Sequence, residues 1–228
     1  MKEMIKKPET IVISLGGSII VPGKIQVAFL KKFREFILKF LKRNCQFIIV
    51  AGGGAVARQY QEAATKITKV SDEDKDWLGI HATRFNAHLL RTIFKEEAYP
   101  VVLDSPHKEI DAERYNLFIA SGWRPGWSTD YDAVILADRF KADKIINASN
   151  ITHVYDRNKK LLNGISWKDY RKLISSAWAP GMNVPFDPIA AKAAQELKMT
   201  VIVAKGTNLN NLADILNDKP FQGTVIHP

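Results

Sequence analysis

The sequence predicts an α/β protein in which helices cover a parallel β-sheet, and three observations lead to this fold class. Short apolar runs rich in β-branched residues alternate with longer segments in which apolar residues recur every three or four positions. The first two apolar runs end at glycine-rich turns, Gly16-Gly17-Ser18 and Gly52-Gly53-Gly54. No long linker, internal repeat or low-complexity tract divides the 228 residues. We therefore expect one continuous sheet.

The first part of the chain predicts the order strand, helix, strand, helix. Thr10–Leu15 and Phe47–Ala51 are the strands. Gln26–Asn44 carries its apolar side chains on one stripe, which is typical of a helix that packs on a core. A second helix is expected from about Ala55 to Lys69, and the acidic segment Asp72–Asp76 begins a third. This third helix runs through Trp77 to about Glu97. The remaining predicted strands are 101–103, 116–120, 144–148, 201–204 and 224–226, and the remaining helices are 129–140, 167–174, 188–197 and 209–216, with a turn-rich loop at 121–128 and a polar loop at 150–160.

The charge of the chain favours anionic partners. Lys and Arg number 33 against 24 Asp and Glu, which gives a formal net charge of +9. Phosphorylated metabolites and nucleic acid both fit this balance. The basic residues are dispersed along the chain, however, and a nucleic-acid surface normally requires them to be clustered. We therefore expect no nucleic-acid partner.

Several kinds of site and compartment are excluded by composition. Cys45 is the single cysteine, so neither an intrachain disulfide nor a cysteine-based zinc site is expected. The five histidines form no group with metal-ligand spacing. Residues 1–9 are too polar for a signal peptide, and no apolar stretch approaches the ~20 residues that span a bilayer. We expect a cytoplasmic protein without a membrane partner and without metal ligands of its own.

The two glycine-rich turns are candidates for binding phosphate. Glycine lets backbone amides approach an anion closely, and a following helix adds the partial positive charge of its N-terminus. Two such turns on neighbouring parallel strands would face each other at the carboxyl edge of the sheet, where open α/β sheets bind ligands. Plain tight turns are the alternative. Neither G-x-x-x-x-G-K-[ST] nor G-x-G-x-x-G is present, so neither a P-loop NTPase nor a dinucleotide-binding dehydrogenase is indicated.

Six segments, taken in order and with their spacing, point to one known family. They are Gly16-Gly17-Ser18; Gly52-Gly53-Gly54 with Arg58; Asp76 with Gly79-Ile80, Thr83-Arg84 and Asn86-Ala87; Pro125-Gly126 with Thr129-Asp130; Asp187-Pro188 with Ala190-Ala191-Lys192; and Gly223-Thr224. Together they resemble the uridylate kinases, especially the archaeal-type branch, within the amino acid kinase superfamily. The resemblance covers nearly the whole chain, from about residue 10.

The resemblance implies a three-layer αβα sandwich with a mostly parallel central sheet, formed as a single domain over residues 1–228. Residues from about 1 to 140 would bind the acceptor nucleotide, and residues from about 141 to 228 would bind ATP. The implied activity is ATP-dependent phosphorylation of UMP in pyrimidine nucleotide metabolism, with ATP and Mg²⁺ bound. The implied assembly is a homo-oligomer, namely a hexamer.

The resemblance also assigns site residues by position. The ATP-binding residues would be Gly17, Ser18, Gly54, Arg58, Ser149, Tyr155 and Asn158. The UMP-binding residues would be Gly53, Asp76, Trp123, Arg124, Pro125, Gly126, Trp127, Ser128 and Thr129. Asp187 and Arg58 would be catalytic, and no residue is assigned as a metal ligand.

Physical chemistry supports several of these roles but leaves structural alternatives open. Arg58 lies one turn into a helix that follows a glycine turn, so its guanidinium could bind the same phosphates, or it could be a solvated helix residue. Asp76 could bind a ribose or supply charge at a helix N-terminus. Thr129 and Asp187 could each be a helix N-cap. Trp127 could stack on a base or pack the loop.

Three departures from the family pattern leave the activity open. Ser14 stands where many superfamily kinases carry lysine, and Thr152 stands where the family has an aspartate. Trp127 and Ser128 replace the usual residues of the loop Trp123–Thr129, which the resemblance assigns to the acceptor and which we call the acceptor loop. A kinase of another small acceptor and a non-catalytic nucleotide-binding or storage protein therefore remain alternatives. The candidate cations for the transferring phosphoryl group are Lys192 and Lys205, and either could equally be a surface lysine.

Overall fold

The computed structural model describes residues 7–111, 114–174 and 184–228 and consists of a central β-sheet between two layers of helices. The strands are β1 (Glu9–Leu15), β2 (Cys45–Ala51), β3 (Leu117–Ala120), β4 (Lys144–Ser149), β5 (Val154–Tyr155), β6 (Leu161–Leu162), β7 (Gly164–Ser166), β8 (Val201–Lys205) and β9 (Thr224–His227). The helices are α1 (Gly17–Ile20), α2 (Val27–Leu41), α3 (Gly54–Ile67), α4 (Asp72–Ile93), α5 (Thr129–Phe140), α6 (Trp167–Leu173), α7 (Pro188–Glu196) and α8 (Leu209–Leu216).

The central sheet has seven strands in the order β3-β2-β1-β4-β8-β9-β7, and only the β8–β9 pairing is antiparallel. β5 and β6 form a separate antiparallel hairpin. The predicted α/β class and the mostly parallel sheet are confirmed. Since β1 pairs with both β2 and β4, strands from the two halves of the chain share one sheet, as expected.

Strand β1 shows why helices must cover both faces of the sheet. Its alternate residues Ile11, Ile13 and Leu15 are fully buried against one set of helices, which includes α2, α4 and α8. Val12 points to the opposite face, where α5, α6 and α7 pack. Successive side chains of a strand point to opposite faces, so a strand that is apolar throughout requires two cores. The chain thus forms the predicted three-layer αβα sandwich.

Several predicted elements differ from the observed ones. The predicted strand at residues 101–103 contributes a single bridge, between Leu103 and Ala120. The predicted polar loop at residues 150–160 contains β5, and neither α1 nor β7 was predicted. These elements are two to four residues long, which is too short for a periodic pattern. The Gly/Pro-containing connection expected between α6 and α7 lies largely outside the described residues.

The parallel register places three chain segments at one edge of the sheet. Leu15 of β1 pairs with Ala51 of β2 on one side and with Ala148 of β4 on the other. The two glycine turns and the end of β4 therefore leave the sheet side by side. This edge carries the candidate site.

Candidate active site

The two glycine turns are in direct contact, as the sequence predicted. A Cβ atom added at Gly17 would lie 2.0 Å from the backbone nitrogen of Gly54 and 2.6 Å from the carbonyl carbon of Gly52. Gly54 has a φ angle of +68°, a conformation that favours glycine. A side chain at Gly17 would thus force the turns apart, and a side chain at Gly54 would be strained as well.

A cavity of about 300 Å³ opens at this edge and collects most of the predicted site residues. The predicted residues that line it are Gly17, Ser18, Gly53, Gly54, Arg58, Asp76, Trp127, Ser128, Thr129, Ser149 and Asp187. They come from six separate parts of the chain, and both predicted catalytic residues are among them. Its lining combines backbone amides, hydroxyls, carboxylates and one guanidinium.

The other predicted residues lie outside this cavity. Arg124, Pro125 and Gly126 line an open groove that adjoins it, and Asp76 and Trp127 belong to both. Trp123, Tyr155 and Asn158 line neither. Tyr155 and Asn158 lie on or beside the β5–β6 hairpin, and both are exposed. The structure therefore does not bring Tyr155 and Asn158 together with the rest of the predicted site, whereas Trp123 contacts the predicted residues Arg124 and Trp127.

Two carboxyl groups lie close together on the cavity lining. Asp130 accepts hydrogen bonds from the Ser14 hydroxyl (2.8 Å) and from Nδ2 of Asn147 (2.9 Å), both on its Oδ1. Protein atoms surround its carboxyl group, and this burial, reinforced by the charge of Asp187, raises the pKa of Asp130 to about 7. Ser14, which stands where many superfamily kinases carry lysine, thus has a defined role, because its hydroxyl donates a hydrogen bond to Asp130.

Asp187 has the capping role that was one of its two predicted possibilities. Its Oδ1 accepts from the backbone N–H of Ile189 (2.8 Å) and of Ala190 (3.0 Å) at the start of α7. Its Oδ2 accepts from the Ser128 hydroxyl. The side chain is 4% exposed, and burial raises its pKa in spite of these bonds. A fixed, nearly buried carboxyl group therefore faces the cavity.

The predicted N-cap at Thr129 is wrong, because Ser128 caps α5. The Ser128 hydroxyl accepts from the backbone N–H of Asp130 and of Tyr131, each at 3.1 Å. Ser128 precedes the helix with an extended backbone, which is the geometry that a cap requires, whereas Thr129 is already helical. The same hydroxyl donates to Asp187, so one side chain joins the starts of α5 and α7.

The acceptor loop of the predicted site is held by stacked side chains. The Arg124 guanidinium lies over the rings of both Trp123 and Trp127, 4.3 and 4.2 Å from their centroids. The two indoles themselves meet edge to face at 4.9 Å. Asp76 accepts from the backbone N–H of Gly126 at 2.7 Å, and burial raises its pKa. Trp123 therefore packs the loop, while Trp127 also faces the cavity.

Sequence reasoning missed several polar residues of this region. Asp130 and Asn147 bond to each other on the cavity lining, and Gln61 also lines the cavity. Asp130 appeared in the sequence analysis only as part of the segment Pro125-Gly126 with Thr129-Asp130, and Asn147 only as a residue of the predicted strand 144–148. Asp132 gave no signal: it is 1% exposed, accepts from the Trp123 N–H at 3.2 Å, and burial raises its pKa to about 8.

Arg58 is the only cationic side chain on the cavity lining among the described residues. Lys192 and Lys205, the two candidate lysines, are exposed and lie outside the lining. Thr152, the second departure from the family pattern, also lies outside it, with its hydroxyl 3.4 Å from the Tyr155 hydroxyl. Ser14, Trp127 and Ser128 line the cavity, whereas Thr152 does not.

The described ranges contain no group of three or more His, Cys, Asp or Glu residues that could hold a metal ion. Nor does any helix within them combine the length and the apolar character needed to cross a membrane. Glycine turns at a helix N-terminus, with an arginine beside them, form a candidate phosphate-binding site of the class found in phosphoryl-transfer proteins.

Comparison with known proteins identifies the family within this class. The sequence matches the amino acid kinase family over residues 9–205. It is 32% identical over 227 residues to the uridylate kinase of Thermococcus sibiricus, covering 96% of this chain and 99% of that protein. The chain therefore belongs to the amino acid kinase family and is a phosphotransferase.

Solved structures agree with this assignment. The crystal structure of uridylate kinase from Archaeoglobus fulgidus superposes with a TM-score of 0.79 at 31% identity, over 95% of this chain and 99% of that one. The crystal structure of UMP kinase from Bacillus anthracis superposes with a TM-score of 0.77 at 20% identity, over 96% of each chain, and supports the fold alone.

Proposed function

We propose that the protein transfers the γ-phosphoryl group of ATP to UMP, forming UDP and ADP. One observation carries the proposal: two glycine turns meet at one sheet edge and share a cavity with Arg58 and Asp187. The names of the relatives, which match over nearly the full chain, support UMP as the acceptor. The aromatic acceptor loop beside Asp76 supports a nucleotide rather than a small acid on that side of the cavity.

In this proposal the chain acts by neutralising and aligning two phosphorylated molecules. Phosphoryl transfer requires little covalent chemistry from the protein, so charge and position supply most of the catalysis. The turn at Gly53 and Gly54 offers backbone amides at the N-terminus of α3, whose helix dipole favours an anion there. Arg58 is on the first turns of the same helix and adds a full positive charge.

The carboxyl groups of Asp130 and Asp187 fit a divalent cation that is held mainly by the nucleotide. Mg²⁺ usually binds through one or two carboxylates together with substrate phosphates rather than in an all-protein cage. When bound, Mg²⁺ would supply positive charge to the phosphates. In its absence the two carboxyl groups repel, which is one reason that the pKa of Asp130 is raised to about 7.

The remaining proposals rest on the resemblance alone. Of the residues that line the cavity, we assign those predicted for ATP to ATP and those predicted for UMP to UMP. The homo-oligomeric, hexameric assembly, the cytoplasmic location and the division of the chain near residue 140 stay predictions.

Turnover with a panel of acceptors tests the proposed function. The purified protein is incubated with ATP, Mg²⁺ and either UMP, CMP, AMP, GMP, carbamate or isopentenyl phosphate, and ADP formation is followed. We expect turnover with UMP and its loss in Asp187→Ala. Asn208→Ala is the matched control, because Asn208 caps α8 through the N–H of Asn211 and lies outside the cavity. Turnover with a different acceptor only, or equal activity of the two variants, would contradict the proposal.

A further inference from the structure

Helix α4 carries a row of polar side chains that contacts two different walls of the cavity. Asp76, Thr83 and Asn86 are seven and then three positions apart, which places them on one face of the helix. Thr83 and Asn86 are 6% and 3% exposed. Buried polar groups inside a helix are costly unless they form hydrogen bonds, so their partners show what they do.

Asn86 holds the second glycine turn. Its Nδ2 donates to the carbonyl oxygen of Gly52 at 2.8 Å and to that of Gly53 at 3.2 Å. Both peptides that follow these carbonyls are trans, so their N–H groups point away from Asn86. The Gly54 nitrogen is on the side of Gly17, where the two turns meet. Two carbonyls fixed on one side therefore fix two amide donors on the other.

Thr83 and Asp76 hold the opposite wall. The Thr83 hydroxyl accepts from the backbone N–H of Gly122 at 2.8 Å and donates to the Ile80 carbonyl at 2.6 Å. Asp76 accepts from the N–H of Gly126 at 2.7 Å. Gly122 directly precedes the acceptor loop, and Gly126 lies within it, next to Trp127, one of the two stacked indoles. One rigid helix thus bonds to the phosphate-binding turn and to the acceptor loop within a few turns of its length.

We propose that this face of α4 aligns the two halves of the active site, with Asn86 and Thr83 as positioning residues for the glycine turn and the acceptor loop. The proposal rests on the proposed function, because it takes the two walls to bind the two nucleotides. Neither side chain transfers a proton or a phosphoryl group. Each sets the position of backbone groups that do contact the nucleotides, and the shared helix sets the distance between them.

Replacement of Asn86 tests the first half of the proposal. Asn86→Ala frees the carbonyls of Gly52 and Gly53, so the turn amides lose their fixed direction. Because a misplacement of about 1 Å can cost ~10²-fold in rate, we expect a fall of that order in kcat with UMP and ATP at saturation. Asn211→Ala is the matched control: Asn211 is 7% exposed and clasps the Gln222 backbone through two 2.7 Å bonds, outside the cavity lining.

Replacement of Thr83 tests the second half with a nearly isosteric change. Thr83→Val removes the acceptor for the Gly122 N–H and leaves the volume almost unchanged. We expect the KM for UMP to rise more than the KM for ATP. Thr10→Val is the control, since Thr10 is 1% exposed and its hydroxyl bonds to Gln46 at the far end of β1. Thr83→Val also keeps the proposal testable if Asn86→Ala does not fold.

Ligand-induced thermal shifts separate this proposal from the proposed function. The rise in Tm on adding UMP, and separately ADP, is measured for the wild type and the four variants. If no acceptor is turned over, the proposed function fails, but loss of the ADP shift in Asn86→Ala and not in Asn211→Ala still supports the positioning role. If Asn86→Ala and Thr83→Val lose stability like their controls while kcat, both KM values and both shifts stay unchanged, the residues are merely structural and the proposal is wrong.

Discussion

The contact between the two glycine turns makes Gly17→Ala the sharpest test of the site. The added Cβ would lie 2.0 Å from the backbone nitrogen of Gly54, whereas ordinary contacts begin at 3.4 Å. The turns would have to separate by about 1.4 Å at this point, because both neighbours are backbone atoms and no side chain can rotate away. A shift of about 1 Å can cost ~10²-fold in rate, so we expect kcat/KM to fall at least that far.

The cost in stability of the same change is expected to be much smaller than the cost in activity. Overpacking of a buried position usually costs about 1–3 kcal/mol. For a domain of this size each kcal/mol lowers Tm by about 2–4 °C. Gly17→Ala should therefore fold and melt only some degrees below the wild type, while its activity is largely lost.

Gly23→Ala is the matched control, since a Cβ at Gly23 has no heavy atom within 4 Å and the residue does not have a positive φ angle. Steady-state kinetics with ATP and UMP and calorimetric unfolding are measured for both variants. The reasoning is refuted if Gly17→Ala keeps wild-type kcat/KM. It is equally refuted if Gly23→Ala loses as much activity as Gly17→Ala.

Three further changes test the electrostatics of the site. Burial, together with the charges of Asp187 and Asp130, raises the pKa of Asp132 in the folded state from 3.8 to about 8. The folded state therefore holds this proton more tightly than the unfolded chain does. The free energy of unfolding is accordingly lost as the pH rises between these two pKa values. The free energy of unfolding, from denaturant titrations, should fall from about pH 5 to about pH 8, and Asp132→Asn should reduce this fall. Ser128→Ala and Ser166→Ala should each cost about 1 kcal/mol of stability, because both serines are helix N-caps, but only Ser128→Ala should lower kcat/KM. Arg58→Ala should raise the KM for ATP and lower kcat/KM by ~10²-fold, whereas Arg43→Ala, which removes a guanidinium stacked on Phe40, should leave both unchanged.

Each of these predictions has a defined contrary result. An unfolding free energy that rises over this pH range in the wild type, or an unchanged slope in Asp132→Asn, would show that this carboxyl is ionised in the folded protein. Equal kinetic effects of Ser128→Ala and Ser166→Ala would show that the hydrogen bond from Ser128 to Asp187 does not contribute to activity. If Arg58→Ala binds ATP as well as the wild type does, Arg58 does not bind the phosphates. No other described residue of the cavity lining could then supply a cationic side chain to them.

The sequence was most informative where a pattern is long or chemically restrictive. The stripe of Phe33, Phe36 and Phe40 predicted a helix that the structure confirms as α2, with all three rings buried. The glycine turns were recognisable because few other residues allow two backbones to meet so closely. Helix α5 was predicted with its observed limits, but the possible N-cap that the sequence suggested, Thr129, is one residue too late. Ser128 and Thr129 are both good caps, and only the backbone geometry distinguishes them.

By itself the sequence determined the α/β class, the order of the long elements, the two glycine-rich turns and the family. These features depend on local periodicity, on turn chemistry and on residues a few positions apart. The tertiary structure alone decided which polar groups meet. Ser14 bonds to Asp130, and Asn86 bonds to Gly52, across separations of 116 and 34 residues. The packing of the sheet and of α4 sets these distances, and no local pattern encodes them.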